Sequence, residues 1–169
     1  LAGSSAASDV YKRQIQQLST CEYVFPAANH NRFSHSLGAY FLATKMTALL
    51  QENQPGIISA EDSELVQLAA LLHDIGHPPY SHLLETPEVF ATFHSHEHWG
   101  RLLLESQNTE IGKAIREVLG PDRLNRLFDI MDGKSSSNGI AIAPFLKEIV
   151  SSQLDVDRMD YLVRDQANT

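Results

Sequence analysis

The chain has 169 residues, 43% of them apolar and 20% charged, which fits one domain with a real core and excludes a disordered or collagen-like chain. Thirteen Lys and Arg against 21 Asp and Glu leave a net charge of −8, which argues against a nucleic-acid coat or a polybasic membrane patch. No apolar run approaches the roughly 20 residues of a membrane span. No secretory signal is visible, and the single cysteine, Cys21, cannot form an internal disulfide. Together these point to a cytoplasmic protein without membrane contact.

Residues 1–14 are small and polar without a period, and read as a non-native or disordered N-terminal segment. Beyond them the pattern is helical, with Tyr23-Val24-Phe25 at most a short strand. Leu37, Tyr40, Phe41, Leu42, Met46, Leu49 and Leu50 recur near the 3.6 period and predict a helix over 34–51. Pro55-Gly56 marks the turn after it. Ser59 ahead of Glu61-Asp62 reads as a helix start. Leu65, Leu68, Ala69 and Leu72 then form one apolar face, and Gly76 with Pro78-Pro79 stops that helix. Thr86-Pro87-Glu88 reads as N-cap, first-turn proline and acidic first turn. Ser95 caps a helix through Leu104 that carries Trp99 into the core. Thr109 caps a helix over 111–119, ended by Gly120-Pro121, and Leu124, Leu127, Phe128 and Met131 mark the next. Residues 132–139 are the clearest loop, and helices restart over 144–150 and 157–165. The last helix has no clear cap, so the chain reads as a C-terminally truncated piece of a larger protein. The class is all-α: one helical bundle over residues 15–169.

Eight histidines are many for this length, and their positions are informative. His73 and Asp74 are adjacent at the end of an apolar helix. A carboxylate beside an imidazole at the edge of a core costs several kcal/mol unless it is paired or metal-bound. His35 lies near the start of an earlier helix, and Asp157 starts a later one. Two histidines and two carboxylates from three helices can close around one divalent cation, and such a set suits Mn²⁺, Fe²⁺, Mg²⁺ or Zn²⁺ without choosing among them. Any one of these histidines alone reads as a hydrogen-bonded core residue.

The four in this order resemble the signature of the HD-domain metal-dependent phosphohydrolases. HNRFSHSLG from His30, LLHDIGHPPYSH from Leu71, HEH at His96 and LDVDRMDYLVRD from Leu154 are similar to the deoxynucleoside triphosphate triphosphohydrolase branch, its dGTPase-type members included. Ile15 to Leu18 and Tyr23 to Pro26 match the segment that precedes the first motif. The resemblance implies an HD-domain bundle and an enzyme that hydrolyses dNTPs to deoxynucleoside and intact triphosphate, by attack of water on the α-phosphorus.

Residue by residue, it implies one divalent metal on His35, His73, Asp74 and Asp157. Arg32, His77 and Arg158 would meet phosphate, Arg158 standing where relatives have a lysine. His82 would donate a proton to the departing sugar oxygen with Glu85 as its partner, and His96 would be a second acid/base or phosphate contact. Tyr161 and Asp165 would recognise the sugar, with Gln17 and Leu18 against it. Asp160 and Arg164 read as a surface carboxylate and its ion-pair partner, and Asp155 as helix-start charge. The implied partner is a deoxynucleoside triphosphate rather than nucleic acid, and the whole protein would be a homo-oligomer. Two alternatives stay open: an HD phosphohydrolase acting on another phosphoester such as a nucleoside monophosphate, and a non-catalytic nucleotide-binding scaffold.

Overall fold

Asn31 sets the start of helix α1 (Arg32–Asn53) by accepting a hydrogen bond from the Ser34 amide at 2.9 Å. In this computed structural model the described residues are 13–80 and 94–169. The predicted helix start at Thr86, most of the segment 1–14, and the two candidate catalytic residues His82 and Glu85 therefore lie outside the described residues.

Helix α1 buries Ala39, Ala43 and Thr47, spaced four apart, against α2 (Ala60–Leu72) and the last helix, α6 (Val156–Asn168). The large apolar residues that carry the period, Leu37, Tyr40, Phe41 and Leu49, are exposed instead. Small side chains let helix axes approach, so the intimate face of α1 is its alanine face. Leu42, Met46 and Leu50 flank that contact.

The start of α2 is as predicted: Ser59 accepts from the Asp62 amide at 2.9 Å. Its Leu65, Val66, Ala69 and Ala70 are fully buried against Leu127 and Ile130 of α4 (Glu110–Asp132), Leu146 of α5 (Phe145–Val150) and Val156 of α6. Helix α3 (His96–Glu105) is capped by Ser95, as expected, and buries Gly100 and Leu104. Trp99 is 46% exposed rather than in the core, because it sits one residue off the Gly100–Leu104 seam.

Two helical runs meet end to end in α4, as expected: Gly120, at φ 70° and ψ 175°, breaks the helix just ahead of Pro121, and the second run starts at once. The loop over 132–139 contains the first strand of a small hairpin, β1 (Ser136–Ser137) paired antiparallel to β2 (Ile140–Ala141). Asn138-Gly139, both at positive φ, form its two-residue turn. Tyr23 belongs to a 3-10 turn, Cys21–Tyr23, and not to a strand. The six helices and one minimal sheet keep the described residues in the all-α class. Among them no helix is long and apolar enough to cross a membrane.

Candidate metal centre

Helix α2 ends at Leu72, and the chain turns at once, with the Ile75 amide bonded to Leu72 O at 3.0 Å and the His77 amide to Asp74 O at 3.3 Å. His77 is therefore brought beside Asp74 by tight turns, not by a further turn of helix. Gly76 lets α3 cross here: a Cβ on it would overlap the His96 carbonyl and the Gly100 amide. That crossing stacks the His96 ring on His77, with centroids 3.8 Å apart.

His35 from α1 and Asp157 from α6 reach the same place. His35 Nε2 lies 3.0 Å from Asp157 Oδ1 and 3.7 Å from Asp74 Oδ2. His73 Nε2 lies 3.2 Å from Asp74 Oδ1 and 3.4 Å from Asp157 Oδ1. Ligand atoms of His35, His73 and Asp157 all fall within 4.8 Å of one another, and so do those of Asp74, His77 and His96.

The donor chemistry tests whether a cation fits. His73 Nδ1 contacts Ala70 O at 2.8 Å, and a carbonyl can only accept, so Nδ1 carries a proton. The lone pair of the neutral ring is then on Nε2, which points at two carboxylates. The Nε2 atoms of His35 and His73 are both buried and lack a well-aligned hydrogen bond. A lone pair facing an anion is repelled; a proton or a metal ion between them reverses the sign. The four side chains thus offer two imidazole nitrogens and two carboxylates to one point, and can hold a divalent metal ion.

The charges respond accordingly. Burial pushes His35 down, but the nearby carboxylates of Asp157, Asp160 and Asp74 carry it up to about 9. His73 is raised against its burial by Asp74 and Asp157. Burial favours a protonated Asp74, yet His73, His77 and Arg32 hold its carboxyl well below the usual range. Asp157 is likewise lowered against its burial by His35 and His73. Burial pushes His77 below its ordinary value despite Asp74.

His73, Asp74 and Asp157 of the cluster line a cavity of about 680 Å³. Arg32, His77, His96 and Arg158 line it, and so do Gln17, Leu18, Tyr161 and Asp165. The N-terminal strap reaches it through the bridge of Gln16 to Asn31 and the bond of the Gln17 amide to His30 O at 3.0 Å. His30 Nε2 meets Asp165 Oδ1 at 2.9 Å and ties the strap to the far end of α6. Gln17 Oε1 is buried without a hydrogen-bond partner among the described residues. Three lining or bracing residues escaped the sequence reading: His30, Arg101 and Lys147. His30 lies inside the HNRFSHSLG motif; Arg101 and Lys147 carry no spacing that marks them. Asp160 corrects an expectation, for it is buried and contacts His35 Nδ1 at 2.8 Å. Its position three residues after Asp157, on the same helix face, was the available signal.

The model of the HD domain family matches residues 32–165. The chain belongs to the HD-domain family. This HD domain is 37% identical to human deoxynucleoside triphosphate triphosphohydrolase SAMHD1, over 90% of this chain and 28% of that protein. It is 36% identical to the uncharacterized protein MJ1154 of Methanocaldococcus jannaschii, over 93% of this chain and 28% of that one. Among solved structures it matches a phosphohydrolase (BT4208) of Bacteroides thetaiotaomicron with a TM-score of 0.77 and 34% identity, covering 96% of this chain and 36% of that one. The chain thus spans about a third of the length of the relatives it matches. HD domains bind divalent metal, and the buried His and Asp cluster is where this one can do so.

Proposed function

We propose that this HD domain belongs to a metal-dependent dNTP triphosphohydrolase, dGTPase-like, that releases deoxynucleoside and intact triphosphate. The observation that carries the reading is one cavity with two chemically different parts. Its lining includes His73, Asp74 and Asp157, with His35 buried behind Asp157, beside Arg32, and it also includes Gln17, Leu18, Tyr161 and Asp165. A triphosphate suits the first and a sugar the second. The relative named as a dNTP triphosphohydrolase matches over 90% of this chain.

In this reading His35, His73, Asp74 and Asp157 hold one divalent ion, Mn²⁺ among the candidates. Once bound, that ion supplies Lewis acidity to phosphate oxygens. Arg32 and Arg158 hold phosphate oxygens, and the Arg32 fork stays aligned because Asp74 grips one of its nitrogens. His77, kept neutral by burial, offers a hydrogen bond to phosphate rather than a charge. His96, stacked on it, serves as a second acid/base or phosphate contact. Water adds to the α-phosphorus, the bond to the 5′-oxygen breaks, and His82, partnered by Glu85, gives that oxygen its proton. Gln17 Oε1 and the Asp165 oxygen not used by His30 accept from sugar hydroxyls, while Leu18 crowds the 2′ position. The whole protein works as a cytoplasmic homo-oligomer of which this domain is one piece.

A second reading keeps the chemistry and changes the substrate to another phosphoester. The match to the uncharacterized MJ1154, as strong as that to the dNTPase, favours it. Asp157→Ala tests both readings at once: bound metal and turnover fall together to background, by metal analysis and steady-state kinetics. Retained metal with retained turnover sinks the ligand assignment.

A further inference from the structure

We infer that Asp160 is the positioning residue for His35, and that Arg164 and Gly38 are the parts that hold it in place. The inference rests on the reading that His35 gives its Nε2 to a divalent ion.

His35 is fully buried, and its ring has two nitrogens to account for. Asp160 Oδ2 lies 2.8 Å from Nδ1, and Asp157 Oδ1 lies 3.0 Å from Nε2. Both carboxylates come from α6, three residues apart, so one rigid helix grips the imidazole from its two sides. The two contacts do different work. An ionised carboxylate only accepts, so Asp160 keeps the proton on Nδ1 and leaves the Nε2 lone pair for a cation. The same bond fixes the plane of the ring, and it makes Nε2 a stronger donor.

Asp160 is itself braced. Arg164, one turn further along α6, donates from Nε to Oδ2 at 2.9 Å and from Nη2 to Oδ1 at 2.8 Å. This fork fixes the plane of the carboxylate and offsets its charge where water is scarce. Across the interface stands Gly38, three residues after His35 on α1. A Cβ there would overlap Asp160 Oδ1 and come within 2.6 Å of Arg164 Nη2. Gly38 has no positive φ, so the backbone does not call for glycine. A glycine weakens a helix interior, and the space it leaves here is the notch through which Asp160 and Arg164 reach His35. The unit is therefore His35-x-x-Gly38 on one helix facing Asp160-x-x-x-Arg164 on another.

The test measures Mn²⁺ affinity of the full-length protein by chelator competition, alongside thermal unfolding of the metal-free form. Asp160→Ala lowers the affinity 10- to 100-fold, the range expected when the partner of a ligating histidine is removed. Asp160→Asn, whose amide oxygen still accepts from Nδ1–H, recovers a substantial part of that loss. Gly38→Ala, which pushes Asp160 aside, reproduces the loss with His35 and Asp160 themselves unsubstituted. In the Zn²⁺-loaded protein, imidazole ¹⁵N spectra show a slowly exchanging His35 Nδ1–H that Asp160→Ala removes. A merely structural Asp160 would lower metal-free stability and leave affinity unchanged. Affinity within twofold of wild type in Asp160→Ala, or in a folded Gly38→Ala should Asp160→Ala not fold, overturns the inference. So does Asp160→Asn falling as far as Asp160→Ala. Wild-type protein that binds no divalent ion sinks the metal reading itself, a result distinct from tight wild-type binding with unaltered variants.

Discussion

Arg32 Nη1 donates to Asp74 Oδ2 across 2.6 Å, with both side chains almost fully withdrawn from water. One residue thus serves two ends: it offsets a buried carboxylate of the metal cluster, and it lines the cavity where phosphate would lie. Arg32→Ala removes a charged hydrogen bond of about 1.5–3 kcal/mol. The expected result is a fall of roughly 10- to 100-fold in kcat/KM for a dNTP, since each 1.4 kcal/mol is tenfold. Arg32→Lys recovers only part, because an ammonium cannot grip Asp74 and phosphate with one planar fork. Unchanged steady-state kinetics in Arg32→Ala would remove it from the site.

Metal-free protein should lose stability on the alkaline side. His35 has its pKa raised from 6.5 to about 9. A raised histidine contributes stability that is fully present below the unfolded value and lost as pH climbs through the folded one. The window is therefore pH 6.5 to 9, and the shift corresponds to a contribution on the order of 3 kcal/mol. Over the same window a metal ion competes with fewer protons, so divalent-ion affinity rises. Unfolding of the metal-free chain at several pH values checks the first half and chelator competition the second. A flat metal affinity from pH 6.5 to 9 contradicts the protonated His35.

His82 separates chemistry from binding. His82→Ala should cut turnover by roughly 10²- to 10⁴-fold, the usual worth of a positioned general acid. Metal content should stay at one ion per chain, because the proposed ligands are His35, His73, Asp74 and Asp157. Rates measured beside metal content decide the matter, and an unchanged rate removes His82 as the proton donor.

Local chemistry was readable from sequence wherever a side chain acts on its own backbone. Ser59, Ser95 and Thr109 cap the helices they precede, because a short polar side chain ahead of an apolar period has few other uses. The His35, His73-Asp74 and Asp157 set was legible because four ordered motifs are improbable by chance, and the fold brings those side chains together. What depends on which face meets which was not. The apolar period of α1 pointed to Leu37 and Phe41, yet Ala39 and Ala43 make the contact, since close approach rewards small residues over oily ones. Asp160 reads as one more surface acid until α1 is laid against α6 and Gly38 is found opposite it. Trp99, the largest apolar residue, sits outside because Gly100 and Leu104 take the seam.

The most direct test of the central claim is product identity. The full-length protein is incubated with each dNTP and Mn²⁺, and the products are resolved by ion-exchange chromatography. Intact triphosphate with free deoxynucleoside is the result that the proposed attack of water on the α-phosphorus predicts. Orthophosphate or pyrophosphate, or no product at all with the metal bound, contradicts it and returns the substrate of this HD domain to the other phosphoesters.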